Sequence, residues 1–380
     1  MRLRKVKKSL HPFSIVKYIV NNKRHFTTIN VVIFLGVFLI YLVSMVIQSI
    51  ENTYYTTTEH HKYYTIIYDL ESPIKQSVLD RIKEKPFTEQ IIRFSGYSIP
   101  MQLNVGGNAN SILLALQHEE IDYLMEKMDL KLVEGRLPST DQYEAVLHKD
   151  IAKNLGIKIG DSIGSDYNSN ILIPNEYKVV GLLDAKAKVS LAYKEDIVEH
   201  CYLIIPKANN LPSLNRYLDE LKNDINSSTF IVQTYETEIS KVKKIIGSIN
   251  LLITAISLMV IVIVSACTGF LFYIHYIYRQ KDFVLLKILG YKNQEIINQA
   301  FIEIALVNSF GYVIGLMLSI ICGYIIDRAF FASIGQDLPL LNIDSILISA
   351  CMPIYATFFS FFPIWHMLKK DNSDNIINFV

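Results

Sequence analysis

Residues 245–278 read IIGSINLLITAISLMVIVIVSACTGFLFYIHYIY, thirty-four positions without one Asp, Glu, Lys or Arg. A bilayer core about 30 Å thick is crossed by roughly 20 mostly apolar helical residues. Between Ile245 and Ile274, 17 residues are Leu, Ile, Val or Phe, each favourable by roughly 0.3–0.6 kcal/mol at the bilayer centre. Asn250 near one end cannot offset that sum. The stretch is a membrane span, and three others lack charge over comparable lengths: 26–50, 304–326 and 345–368. The first two spans are separated by nearly two hundred polar residues. The fold class is therefore a membrane protein with four transmembrane α-helices and a large domain between helices 1 and 2.

The boundaries follow from the charges. Residues 29–50 form transmembrane helix 1, 51–240 the interposed domain, 241–278 a stalk continuing into helix 2, and 279–299 a connecting loop. Residues 300–326 form helix 3, 327–341 a short loop, 342–368 helix 4 and 369–380 a tail. The first 50 residues hold eight Lys or Arg and no acid, whereas 51–240 hold 28 acids against 19 bases. Arg279, Lys281, Lys287 and Lys292 crowd the 279–299 loop, and Lys369 and Lys370 follow the last span. Short basic loops stay on the cytoplasmic side, so the termini and that loop are expected to be cytoplasmic and the large domain extracytoplasmic. Lys241, Lys243 and Lys244 run against the rule, but they end a large domain, where it has little force. No small-x-small site follows Ile50, so the first span reads as an anchor rather than a cleaved signal. In residues 1–28, Leu10, Phe13, Ile15, Val16, Tyr18 and Ile19 recur near helical spacing among bases, predicting an amphipathic helix on the inner membrane surface.

The interposed domain mixes strand-like and helix-like pieces without a βαβ rhythm, which predicts an α+β fold. Strands are expected at 63–68, 144–148, 177–183, 201–205 and 230–233, and a hairpin over 91–117 turning at Gly106-Gly107-Asn108. Helices are expected at 74–85, 119–128 and 211–224. From Tyr235 the pattern is helical into the second span, a stalk. Cys201 is the lone cysteine of this domain, and Cys267, Cys322 and Cys351 lie in spans, so no disulfide framework is present.

The sharpest local signal is 278–292, YRQKDFVLLKILGYK. It is long enough for a short helix ended by Gly290 in a left-handed cap. Phe283, Leu286 and Leu289 share a face and would have little to bury against within one membrane chain; a groove on a cytoplasmic protein would supply that surface. This loop and the following span, with Lys287, Gly290, Glu303, Gly311 and Gly315 in place, resemble the FtsX-like permease domain of MacB/LolC-type ABC transporters. Arg279-x-x-Asp282 stands where that family usually has Arg-x-x-Glu. Glu134-Gly135-Arg136-Leu137-Pro138, Glu144-Ala145-Val146-Leu147, Leu155 to Asp161 and Val179-Val180-Gly181 follow in the order of a MacB-like outer domain. The family's tail is only hinted at by Asp374 to Ile377.

The resemblance implies a non-catalytic permease subunit in a bacterial cell membrane, working as a dimer or with a paralogue. Arg279, Lys281, Asp282, Phe283, Leu286, Lys287, Leu289 and Gly290 would form a coupling helix contacting a separate ABC ATPase. Glu303, Gly311 and Gly315 would serve helix packing and transmission. ATP and Mg would be used by that partner and no cofactor bound by this chain; membrane lipids and an extracytoplasmic accessory protein are further implied partners. Motion relayed along the stalks would move a peptide, lipid or lipoprotein. The alternative within the family is an FtsX-like signalling subunit regulating a cell-wall hydrolase, and a ligand-sensing receptor is disfavoured by the absence of a cytoplasmic output domain. The residues agree on what is missing. No Gly is followed by Lys, so there is no phosphate-binding loop. No HExxH or GxSxG occurs, nothing suggests nucleic acid, and the spans carry no central ion pair of the kind an ion-coupled transporter needs. His60-His61 reads as solvated surface, and His148 and His200 as strand-end residues. Glu303 is placed near the start of span three, as a cap or an intra-bundle partner. Gly311, Gly315 and Gly323 would let a second helix approach closely, a candidate subunit interface.

Overall fold

In the computed structural model the charge-free stretches form helices longer than the stretches themselves, because polar turns flank each one. Residues 19 and 21–370 are described, apart from 140–141, 165–172, 196, 198–199 and 226–227. The expected N-terminal surface helix lies almost wholly outside the described residues, and the tail beyond Lys370 does too. Helix α1 spans Lys23–Thr58. After the interposed domain come α6 (Tyr235–Tyr278), α7 (Gln280–Ile288), α8 (Asn293–Ile326) and α9 (Ile343–Lys370). Among the described residues, four helices are long and apolar enough to cross a membrane. At about 1.5 Å per residue, the 44 residues of α6 make one rod of about 66 Å. The chain divides into two compact units: residues 1–46, 250–325 and 339–380, and residues 47–249 with 326–338.

In the first unit the packing is decided by small residues. A Cβ on Gly311 would sit 2.9 Å from Asn30 Oδ1 and 3.2 Å from Ile33 Cβ, and one on Gly315 would sit 3.0 Å from Val37 Cβ. A Cβ on Gly323 would meet Met45 Sδ at 2.8 Å. The glycine stripe of α8 therefore seats α1 of the same chain. It is not open to a second subunit, which corrects the expectation drawn from spacing alone. Pro363 removes the N–H that would bond the Phe359 carbonyl. Gly269 lets α6 run beside that oxygen, where a Cβ would lie 3.1 Å away. Asn308 Nδ2 donates to Thr357 Oγ1 at 3.0 Å and Tyr41 Oη to the Leu340 carbonyl at 3.0 Å. Such bonds within a bundle are worth about 0.6 kcal/mol each, so packing around Ile33, Val37, Phe272, Ile304 and Met352 dominates.

The second unit carries two sheets. The antiparallel four-stranded sheet has the order β11-β1-β10-β2, from Phe230–Gln233, Thr65–Asp69, Cys201–Pro206 and Thr88–Arg93. The mixed sheet has the order β3-β4-β9-β6-β8-β5, with β7 pairing to β8. Its strands are Ser95–Gln102, Asn108–Leu116, Val189–Tyr193, Glu144–His148, Tyr177–Asp184, Lys131–Gly135 and Ser162–Ile163. Strand alternation explains the apolar runs. Ile66, Leu203 and Ile205 point into a core shared with Leu114, Val146 and Leu191 of the other sheet. Ile67 and Ile204 point the other way, onto α2 (Gln76–Lys83) and α5 (Leu211–Ile225) through Ile82, Leu214 and Leu218. A strand buried on both faces reads as a continuous hydrophobic run. Helix α3 (His118–Lys127) closes the shared core through Ile121 and Leu124, and α4 (Lys149–Leu155) covers the far face through Ile151 and Ala152.

Two expectations fail here. The 91–117 hairpin is β3–β4 alone; β2 pairs with β10 in the other sheet, because Phe94 turns into the shared core between them. His60 and His61 are not solvated: they are 5% and 6% exposed, on a 3₁₀ turn (Glu59–Lys62), with rings 4.2 Å apart beside Tyr64.

Candidate functional site

The residues that bear on function converge where α6, α7 and α8 meet, inside the first unit. Helix α6 stops at Tyr278, and Arg279 bends the chain at φ −91° and ψ 2° before α7 begins. Phe283 N and Asp282 N donate to the Arg279 carbonyl, so the bend is part of the new helix's first turn. Helix α7 ends in a glycine cap. Gly290 has φ +91°, its N–H donates to the Lys287 carbonyl, and Tyr291 N–H donates to the Leu286 carbonyl at 3.1 Å. Only Leu289 to Lys292 separate α7 from α8, so α7 is held at both ends by short, ordered chain.

A buried ion pair fixes α7 against α8. Arg279 Nη1 donates to both carboxylate oxygens of Glu303, at 2.8 and 2.9 Å, and the side chains are 9% and 2% exposed. The guanidinium carbon lies 5.3 Å from the Tyr276 ring centre and 5.2 Å from that of Phe283. Those rings stack on each other 5.6 Å apart at 15°. A guanidinium against two aromatic rings gains cation–π attraction that grows with desolvation, and planar arginine suits such a site where lysine would not. Glu303 lies ten residues inside α8, which starts at Asn293. It is thus no helix cap but the intra-bundle partner of Arg279.

This geometry also redistributes the face assigned from spacing. Phe283 and Leu286 are each 6% exposed and belong to the first unit's core with Tyr276, Ile296 and Ala300. The premise that they would have little to bury against within one membrane chain is incorrect for Phe283 and Leu286: the turn at Arg279 folds α7 back onto α8. What remains exposed is the opposite side. Leu285 is 61%, Ile288 78% and Leu289 64% exposed. Lys281 and Asp282 are exposed beside them, Lys287 is half-buried, and Gly290 is exposed. Leu285 and Ile288 were not singled out by sequence, although their spacing from Lys281 (i+4, i+7) marks a second face of the same helix. Gly311 and Gly315 lie further along α8, against α1.

The turn at Gly135 and the charged side chains beside it hold strands of the interposed domain together. Gly135 has φ +80°, and a Cβ there would stand 2.2 Å from the Val180 carbonyl oxygen. Arg136 donates to Glu144 through Nη1 at 2.6 Å and Nη2 at 2.5 Å, and Ser139 donates through its N–H and hydroxyl. Glu144 is buried, and the guanidinium and Ser139 hold its carboxyl down to about 2. His148 is buried as well. Its Nδ1 accepts from Asp150 N–H to cap α4, and burial lowers its pKa. Among the described residues no group of three or more His, Cys, Asp or Glu could hold a metal ion.

Comparison with known proteins adds one match within the chain. Residues 254–371, which include all of α7 and α8, match the FtsX-like permease C-terminal family. The chain is also similar to the periplasmic region of MacB from Actinobacillus actinomycetemcomitans: 11% identity, TM-score 0.28, 48% of this chain and 92% of that one covered. It is similar to the extracellular domain of the noncanonic ABC-type transporter YknZ from Gram-positive bacteria, at 13% identity and TM-score 0.26, covering 45% of this chain and 100% of that one. No curated protein matches it.

Proposed function

We propose that this chain is the permease subunit of an ABC transporter, non-catalytic itself, which takes its energy from a separate cytoplasmic ATPase docked on α7. The observation that carries the reading is a pairing. Residues 254–371 match the FtsX-like permease C-terminal family, and within them α7 keeps Phe283 and Leu286 inside while leaving Leu285, Ile288 and Leu289 uncovered. Short helices that present apolar anchors at helical spacing fit grooves on partner proteins. Lys281 and Asp282 flank those anchors and set the register of docking. The Arg279–Glu303 pair makes α7 a rigid lever on α8 rather than a loose loop. In this reading the interposed domain is extracytoplasmic, two permease copies or paralogues assemble with two ATPases, and the unbroken α1 and α6 carry motion to that domain. There it moves a peptide, lipid or lipoprotein.

The test is purification of the intact chain from its native membrane. A phosphate-loop ATPase is expected to co-purify, and Leu285→Asp with Ile288→Asp should release it while the permease stays at wild-type level. If that ATPase is stimulated by peptides or lipids, transport follows; stimulation only by a cell-wall hydrolase would instead establish the signalling role. If no ATPase accompanies the wild-type chain, the proposal is wrong.

A further inference from the structure

We infer that the loop between α8 and α9 is a strap that fastens that part of the chain onto the α+β domain. The domain is then driven through four chain crossings and not through the two stalk helices alone. The strap lies within the second unit, which comprises residues 47–249 and 326–338. After Ile326 the chain makes a wide turn (Asp327–Phe331) and a 3₁₀ turn (Ala332–Ile334). It closes on itself: Gln336 N–H donates to the Phe331 carbonyl at 3.0 Å and Leu338 N–H to Asp327 Oδ1 at 3.0 Å.

The seat is built around α4. Gly335 has φ +66°, and a Cβ there would stand 2.3 Å from the Asp150 carbonyl oxygen. Both the backbone angle and the approach demand glycine. Lys188, 6% exposed, donates through Nζ to the Gly335 carbonyl at 3.1 Å and pairs with Asp150 Oδ2 at 3.1 Å. Asn154 Nδ2 donates to the Ile334 carbonyl at 3.0 Å. Gln336 is 2% exposed, and its Nε2 donates to the Gln102 carbonyl at 2.5 Å. A connection that only had to join two helices would leave its polar groups in water. This one buries a glutamine side chain and takes a bond from a buried lysine, whose charge would be expensive to hold without partners. The same donors tie the strap to the domain's own chain, since Asn154 Nδ2 also donates to the Gln102 carbonyl at 2.9 Å and Lys188 also pairs with Asp150.

The purpose of the motion rests on the permease reading; the seating does not. Hydrogen exchange on the full chain in nanodiscs, without any ATPase, tests the seating first. The Gln336 and Leu338 amides are expected to exchange at least about tenfold more slowly than an unstructured chain, and Gly335→Val should abolish that protection while the β6 and β8 amides keep theirs. Lys188→Met should weaken it from the other side. Free exchange at 336 and 338 in the wild-type chain, or unchanged protection in Gly335→Val, overturns the strap. With the ATPase complex in hand, nucleotide should alter exchange in α4 (149–155) of the wild type and not of Gly335→Val. An equal response in both overturns the transmission half. Failure to isolate any ATPase would strike the permease reading and leave the exchange result standing.

Discussion

Replacing Arg279 by Met leaves the Glu303 carboxylate 2% exposed with its two guanidinium bonds gone. Two unit charges about 4 Å apart attract by about 4 kcal/mol at an effective dielectric of 20. Breaking one side of a buried pair typically costs about 3–5 kcal/mol, because the survivor stays desolvated. Losing the contacts to the Tyr276 and Phe283 rings removes up to about 2 kcal/mol more, so Arg279→Met should fall at the upper end of that range. Glu303→Leu should cost a similar amount, since it strands the guanidinium beside the stacked rings. The double variant, Arg279→Met with Glu303→Leu, exchanges the pair for apolar volume and should sit within about 1 kcal/mol of wild type. The two single losses less that of the double leave a coupling of at least about 5 kcal/mol, more than about a thousandfold in the unfolding equilibrium, and it includes the cost of stranding a desolvated charge. Reversible unfolding of the purified chain in mixed micelles reads the stabilities, and hydrogen exchange in α7 shows whether the loss is local. Additive losses in the double variant would refute the claim that this pair clamps α7 to α8.

Three further outcomes follow from the same contacts. Gly135→Ala forces a Cβ against the Val180 carbonyl oxygen at φ +80° and should destabilise the α+β domain by more than about 1–3 kcal/mol. Gly106→Ala, at φ +90° but with nothing within 4 Å, should cost less, and thermal melts of the two compare directly. Acid should loosen this domain in two stages. The folded pKa of His148 is lowered, so its contribution is complete above its ordinary 6.5 and is lost as pH falls below that, when a proton on Nδ1 displaces the Asp150 N–H that caps α4. Glu144, held to about 2, contributes fully above its ordinary 4.5 and is lost as pH falls from there through about 2. Stability that rose on acidification from pH 7 to 3 would contradict both assignments. On the permease proposal, a Gly-Gly insertion beside Lys243, inside the unbroken α6, should leave ATP hydrolysis by the proposed partner ATPase intact and abolish output from the α+β domain; retained output would remove α6 as a transmitter.

Sequence carried the membrane layout and much of the sheet content because both depend on local composition. Four charge-free stretches can hardly be anything but spans, and runs such as Cys201 to Ile205 are apolar on both faces because both faces are covered. What it could not supply was the partner of each face. Helical spacing put Phe283, Leu286 and Leu289 together, yet the turn at Arg279 decides that the first two face α8 and that Leu285 and Ile288 face out. The same limit applies to Gly311 and Gly315, whose spacing announces a close neighbour without saying that it is α1 of the same chain. His60 and His61 looked polar enough for solvent, but the 3₁₀ turn ending α1 swings both rings inward. Glu303 offered half a signal: a lone acid in the apolar part of a helix needs a cation, but Lys281, Lys287 and Lys292 all lie closer to it in sequence than Arg279, so only the fold selects the partner. The strap left almost no trace, since a Gly-Gln pair in a short loop looks like any turn until Asp150 and Lys188 are brought beside it.

The central claim is that α7 meets an ATPase through its uncovered side. A photoactivatable phenylalanine analogue placed at position 288, in cells, tests it most directly, with the same analogue at position 286 as the buried comparison. A light-dependent adduct is expected between position 288 and a phosphate-loop ATPase, and none from 286. An adduct from 286 but not 288, or from neither in cells that contain the functional complex, would contradict it.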